Sequence, residues 1–228
     1  TQGVFTTGNT VIDAIKHTVR SGYSFEDGAL RGALARVKTG NRIILVTAHR
    51  RENILPRSEG GTYMEAICKA LVDLLERHED CEIILPLHKS PAVRDIVVPL
   101  LQEHDRAHLV EPLGVADLHN LMGISHLVMT DSGGIQEEAP ALGKPVLVLR
   151  RETERPEAIS AGTVALAGVC RGEIYALADK LLSDKDEYGR MAAAVNPYGD
   201  GEASRRIADG ILYHFKLSDN PPDEFSPN

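Results

Sequence analysis

The sequence predicts an α/β chain: a Rossmann-like, doubly wound sheet of six parallel strands with helices on both faces. Three observations carry this expectation. Six short apolar runs alternate with longer amphipathic segments, the pattern of strands covered by crossover helices. The 228 residues, 43% of them apolar, are enough to bury one compact core. The chemically distinctive residues follow the apolar runs instead of lying within them, as expected where ligands bind beyond the carboxyl ends of parallel strands.

The elements follow in order. Residues 10–20 form a helix capped by Asn9 or Thr10. The first strand, 42–47, leads to a helix over 63–78, and the second, 82–87, to a helix over 92–103. A strand at 108–111 precedes a helix at 114–124, and a strand at 126–130 precedes a helix at 133–142. The fifth strand, 145–149, is followed by a helix over 155–160 that has Pro156 near its first position, where a missing N–H costs nothing. After a sixth strand at 163–167 come helices at 173–182, 185–195 and 202–216. Crossovers in such sheets are right-handed. Residues 1–217 then make one domain, with an entry and hinge region at 1–40 and a closing helix at 202–217. The tail 218–228, with three prolines, and the Gly-, Ser- and charge-rich stretch 56–62 are expected to be mobile.

Composition narrows the function. A formal charge of −8 and a pI near 5.6, with no clustered basic surface, exclude nonspecific nucleic-acid binding. No segment approaches the roughly 18 apolar residues that span a bilayer, so no membrane partner is expected. Cys68, Cys81 and Cys170 are odd in number and lack metal-ligand spacing, which fits a reduced, cytoplasmic setting; Cys68 and Cys81 look like core fillers. His104 and His108 have His-x₃-His spacing but straddle a helix end and a strand start, so no metal is expected. Ser132 lacks the Gly-x-Ser-x-Gly elbow of serine hydrolases. The chain opens at Thr1 without Met, as a processed product or a piece of something longer would.

The candidate site lies on one edge. Thr130-Asp131-Ser132-Gly133-Gly134-Ile135-Gln136-Glu137-Glu138 reads as strand, tight turn and helix start. Ser132 can cap the helix, and Gly133 and Gly134 let a phosphate approach first-turn N–H groups that have no intrahelical partner. Glu138 adds an acceptor for sugar hydroxyls, so phosphate and ribose together point to a nucleotide. An ordinary capped helix explains the same residues, and Asp131 reads as a structural brace. His49-Arg50-Arg51-Glu52, after the first strand, combines an imidazole with guanidiniums that can neutralise a diphosphate; a surface charge cluster is the alternative. His88, ending the second strand, and Arg155 in Thr153-Glu154-Arg155-Pro156-Glu157 are further candidates. Asn196-Pro197-Tyr198-Gly199-Asp200-Gly201 is dense in turn formers and needs only a structural reason.

Taken together, these motifs resemble the C-terminal half of the non-hydrolysing UDP-N-acetylglucosamine 2-epimerases. The likeness runs from Thr7-Gly8-Asn9-Thr10-Val11-Ile12-Asp13, through Val46-Thr47-Ala48-His49-Arg50-Arg51-Glu52-Asn53 and Leu85-Pro86-Leu87-His88, to 131–140, Gly143-Lys144-Pro145-Val146-Leu147, Thr153-Glu154-Arg155-Pro156-Glu157, Ala161-Gly162-Thr163 and 196–201. The resemblance implies the second domain of a GT-B pair and interconversion of UDP-GlcNAc and UDP-ManNAc without a cofactor. The proton at C2 is lost as the C1–O bond to UDP breaks, and re-addition to the glycal inverts C2. It assigns Ser132, Gly133 and Gly134 to the diphosphate, Glu138 to the ribose hydroxyls, Arg155 to the phosphates and His49 to catalysis beside the diphosphate. Arg50 and His88 join them as substrate-binding residues, and the 112–119 loop faces uracil. The family's acid/base carboxylates lie in an N-terminal domain that the chain lacks, to be supplied in cis or in trans, and the full enzyme would be a homodimer. Residues 54–62 are longer than the expected connection. A glycosyltransferase donor-binding module and a noncatalytic UDP-sugar sensor are the alternative readings.

Overall fold

The computed structural model describes residues 3–58 and 60–227. Its six strands are all parallel: β1 (Arg42–Thr47), β2 (Cys81–Pro86), β3 (Ala107–Val110), β4 (Leu127–Thr130), β5 (Val146–Val148) and β6 (Val164–Leu166), in the order β3-β2-β1-β4-β5-β6. This is the doubly wound order, and its reversal falls between β1 and β4. The expected fold class is therefore the observed one. Strand limits shift by at most one residue from expectation, since backbone pairing and not the apolar run defines where each strand stops.

The helices are α1 (Thr10–Thr18), α2 (Gly28–Arg36), α3 (Arg51–Ile54), α4 (Tyr63–Arg77), α5 (Pro91–Leu101), α6 (Val115–Ile124), α7 (Gly133–Glu138), α8 (Pro156–Ala161), α9 (Arg171–Ser183), α10 (Lys185–Ala192) and α11 (Ala203–His214). Alternate strand residues feed two cores. Ile44 and Val46 of β1 pack with Leu71 and Leu74 of α4, Val93 and Val97 of α5, and Ile174 of α9. Ile43 and Leu45 face Ile15 of α1, Leu30 of α2, Leu121 of α6 and Ile135 of α7. A sheet buried on both faces explains why β1 reads as a continuous apolar run.

Two helices escape the sequence reading. α2 buries only Leu30 and Ala33 and carries two glycines, so its pattern is weak. It is fixed by Asp27, whose side chain accepts from Leu30 N, and by Asp117, which accepts from the backbone N–H groups of Glu26 and Asp27 and from the Tyr23 hydroxyl. α3 is a single turn after Arg50. The helix expected over 133–142 divides: α7 gives way to a 3-10 turn, Ala139–Leu142, at Pro140, which has no N–H to continue an α ladder. Arg155 precedes α8 as its N-cap residue.

The stretch after α3 is a closed hairpin. Pro56 and Thr62 form an antiparallel bridge, Arg57 N donates to Gly61 O at 2.9 Å, and Gly60 and Gly61 both take positive φ. Thr62 and Glu65 then make a reciprocal capping box that starts α4. At the other end of the chain, the tail returns to the entry segment: Phe225 N donates to Thr6 O at 2.8 Å, and Asp223 pairs with Arg205 and Arg206.

Candidate functional site

β1 and β4 are neighbours, with Thr47 opposite Thr130 and their hydroxyls 2.6 Å apart. The chain therefore leaves the two strands side by side, and Asp131 lies beside His49 and Arg50. Asp131 has no solvent exposure. Its Oδ2 accepts from His49 N (2.8 Å), Arg50 N (2.7 Å) and Asn53 Nδ2 (3.1 Å), while Arg50 Nε donates to the Asp131 carbonyl at 3.1 Å. The expected brace is present. Asp131 Oδ1 lies 3.3 Å from His49 Nδ1, within ion-pair reach but without hydrogen-bond alignment, and is a buried acceptor with no matched donor.

Ser132 does not cap α7. Its side chain makes no cap bond, and its own N–H donates to Thr130 Oγ1 at 3.0 Å. The turn is fixed by Thr130, which leaves the Ser132 hydroxyl lining the cleft. Beyond it the first-turn N–H groups of α7 keep the unmet hydrogen-bonding capacity of any helix start. Gly133 is buried and Gly134 is exposed.

His88 arrives from the end of β2. Its ring stacks on that of His49, with centroids 5.4 Å apart and planes inclined by 11°. Its Nδ1 accepts from Ser90 N at 3.1 Å, so the neutral ring carries its proton on Nε2. Thr47, His49, His88, Ser132, Gly134 and Glu138 line one cleft of about 320 Å³, walled by Pro112, Leu113 and Leu118. Cleft and wall thus join five of the expected positions with the 112–119 loop, in a volume at the small end of ligand sites. Glu138, whose side chain is 16% exposed, has His119 Nε2 3.5 Å behind it. His119 Nδ1 in turn lies 2.6 Å from Thr18 Oγ1, which orients that imidazole.

Arg155 sits beside the turn but is shared. Its Nε pairs with Glu137, and Nη1 donates to the Glu154 carbonyl at 3.3 Å. Glu137 also receives Asn9 Nδ2, and Asn196 Nδ2 donates to its carbonyl at 2.9 Å. The 196–201 turn is therefore a clasp joining α1 to α7, consistent with its structural reading.

Sequence reasoning missed a charged ladder on the opposite flank. Glu52 accepts from Arg150 Nε at 2.8 Å; Arg150 Nη1 pairs with Glu154, and Glu154 Oε1 lies 3.5 Å from Arg50 Nη2. Arg150 is 9% exposed. Its position at the carboxyl end of β5 was the available signal.

Other clusters serve structure. His78, Asp80 and Cys81 offer ligand atoms within 4.8 Å of one another. However, His78 Nε2 is 2.8 Å from Asp179 and Asp80 is paired with Arg42, while burial pushes the Cys81 thiol up to about 11. Their donor set is already spent within the fold. His108 pairs in the core with Glu82 at 2.7 Å. Burial raises the Glu82 carboxyl, but bonds from His108, Lys38 N and Asn41 outweigh it and leave the group below its usual range. A wider groove of about 790 Å³ runs between Phe5, Ile211 and Phe215, away from the strand ends.

Comparison with known proteins finds similar chains. A family model described as UDP-N-acetylglucosamine 2-epimerase matches residues 1–212. The UDP-N-acetylglucosamine 2-epimerase of Bacillus subtilis (strain 168) is 49% identical over 223 residues, 98% of this chain and 55% of that protein. The S. aureus MnaA–UDP co-structure is similar at 44% identity and a TM-score of 0.87, over 98% of this chain and 57% of that one. The Methanocaldococcus jannaschii UDP-GlcNAc 2-epimerase, in complex with UDP-GlcNAc and UDP, is similar at 26% identity and a TM-score of 0.71, over 92% and 54%. The chain spans about half the length of the curated relatives it matches.

Proposed function

The chain belongs to the UDP-N-acetylglucosamine 2-epimerase family, and from that premise we propose that its sheet edge holds UDP during epimerisation of UDP-GlcNAc and UDP-ManNAc. The observation that carries the reading is the convergence of His49, His88, Ser132, Gly134 and Glu138 on one cleft, with Arg50 and Arg155 beside Gly133. Uracil lies against Pro112 and Leu113, the ribose hydroxyls donate to Glu138, and the diphosphate rests on Ser132, Gly133 and Gly134.

The chemistry follows from charge. As C1–O breaks, its electron pair moves onto the diphosphate, and the C2 proton passes to a base. Arg50, Arg155 and the α7 amides stabilise that charge, a contribution of several kcal/mol in comparable sites. His49 donates from Nε2 to the departing oxygen, and the imidazolium form of His49 gives Asp131 Oδ1 the partner it lacks. No carboxylate of this edge is assigned to C2. The acid/base groups come from an N-terminal half, joined in cis or in trans, in a homodimeric cytoplasmic enzyme. The glycosyltransferase and sensor readings are not favoured.

Calorimetry with UDP, paired with a solvent-exchange assay at C2 of UDP-GlcNAc, tests this reading. Weak UDP binding without C2 exchange is expected from the 228-residue chain. Robust exchange by this chain alone refutes the half-site, and failure to bind UDP refutes the nucleotide assignment.

A further inference from the structure

The cleft that reaches Ser132 and Gly134 stops short of Gly133. A β-carbon on Gly133 would lie 3.2 Å from Glu154 Oε1, 3.8 Å from Arg155 Nη2 and 3.9 Å from Arg50 Nη2. A carboxylate oxygen thus stands over the first residue of α7, flanked by two guanidiniums. This arrangement is what a bound anion would make, except that the anion here belongs to the protein. We propose that Glu154 is a built-in surrogate for the diphosphate: its carboxylate takes the anion seat over Gly133 and gives it up to the nucleotide. The inference rests on the proposed UDP site and adds a residue that sets its affinity.

Three further observations support it. Glu154 is held closely only by Arg150 Nη1 on Oε2, and its Oε1 meets Arg50 Nη2 at a long 3.5 Å. Its side chain is 44% exposed, so withdrawal into solvent needs no rearrangement of the core. A hydrogen bond from its own backbone N–H, then Arg150 and Arg50, hold the Glu154 carboxyl below the usual range, so it is an anion at neutral pH. An anion in this place offsets the charge of Arg50 and adds to Glu137 in offsetting that of Arg155. The same anion competes with the diphosphate for those guanidiniums and returns as UDP departs. Tight binding of a leaving group would slow its release, and a tethered competitor weakens that binding without removing any donor.

The test compares the native chain with Glu154→Gln, which keeps the shape and an acceptor for Arg150 but removes the charge. Glu152→Gln serves as the matched control, because Glu152 is exposed two residues away and touches none of these groups. Binding of UDP, inorganic diphosphate and uridine is measured by calorimetry at fixed ionic strength, with folding of each variant checked by thermal melting. In Glu154→Gln, UDP and diphosphate are expected to bind about tenfold tighter, with uridine unchanged, as removal of one charge at contact distance predicts. In Glu152→Gln the change stays below about twofold. Diphosphate binding no tighter in Glu154→Gln than in the native chain, or an equal gain in Glu152→Gln, overturns the proposal. If the native chain binds neither UDP nor uridine while Glu154→Gln still gains diphosphate, the UDP reading fails and the surrogate stands.

Discussion

Asp131 Oδ1 lies 3.3 Å from His49 Nδ1, and the other oxygen of the same buried carboxylate holds the His49 and Arg50 amides. One side chain thus fixes both the path of the loop and the orientation of its imidazole. Replacing Asp131 with Ala strands two backbone N–H groups and leaves the Asn53 amide only its bond to the Leu149 carbonyl, and is expected to cost about 3 kcal/mol of stability, since bonds to a charged acceptor contribute more than neutral ones. Urea unfolding of the purified variant gives the value directly.

Gly133 has no room for a side chain once a diphosphate is seated, because the diphosphate then takes the face that otherwise meets Glu154, with Arg155 and Arg50 at its sides. Gly133→Ala is therefore expected to fold, as its flanking groups are the ends of flexible side chains. Its affinity for UDP should fall at least about tenfold, with uridine binding retained, and calorimetry with the two ligands separates these effects.

Glu138 stands in the cleft with His119 behind it. If it accepts ribose hydroxyls, Glu138→Gln weakens UDP by roughly tenfold or more, the worth of a charged hydrogen bond. The native preference for UDP over 2′-deoxy-UDP should also shrink. Competition binding with both nucleotides measures this, and an undiminished preference would contradict the role.

His126 sits at the opposite end of β4, stacked on Tyr188 with centroids 4.2 Å apart. Burial, followed by the positive charges of Arg42 and Lys144, lowers its pKa from 6.5 to about 4, with Asp80 opposing. The unfolded chain takes up a proton there below about pH 6.5, and the folded chain does so only near pH 4. Stability therefore falls as pH drops from 6.5 to 4, by about 2 kcal/mol once partial exposure is allowed for. Denaturant midpoints at pH 7 and pH 4.5 should differ less in His126→Gln than in the native chain.

The sheet was legible because most strand residues are buried, so that each strand appears as a largely apolar run. The candidate positions stood out because they follow those runs. What escaped notice depends on contacts distant in sequence. α2 has little apolar signal of its own and is fixed by Asp117, about 90 residues away. Ser132 looked like a cap because serine before Gly-Gly is locally sufficient for one, yet Thr130 takes its amide. Glu154 belongs to a motif whose arginine attracted attention. That its carboxylate folds back over Gly133 depends on the packing of β5 against β4, which no local pattern encodes.

The bond from Phe225 N to Thr6 O makes the polypeptide almost a ring. Residues 6 and 225 can then be joined by a short linker and the chain reopened at Gly60-Gly61, where both glycines are exposed and take positive φ. Such a circular permutant keeps every strand and its order while moving both ends to the rim above β1. Tags or surface anchors placed there would sit next to the nucleotide cleft without passing through the core.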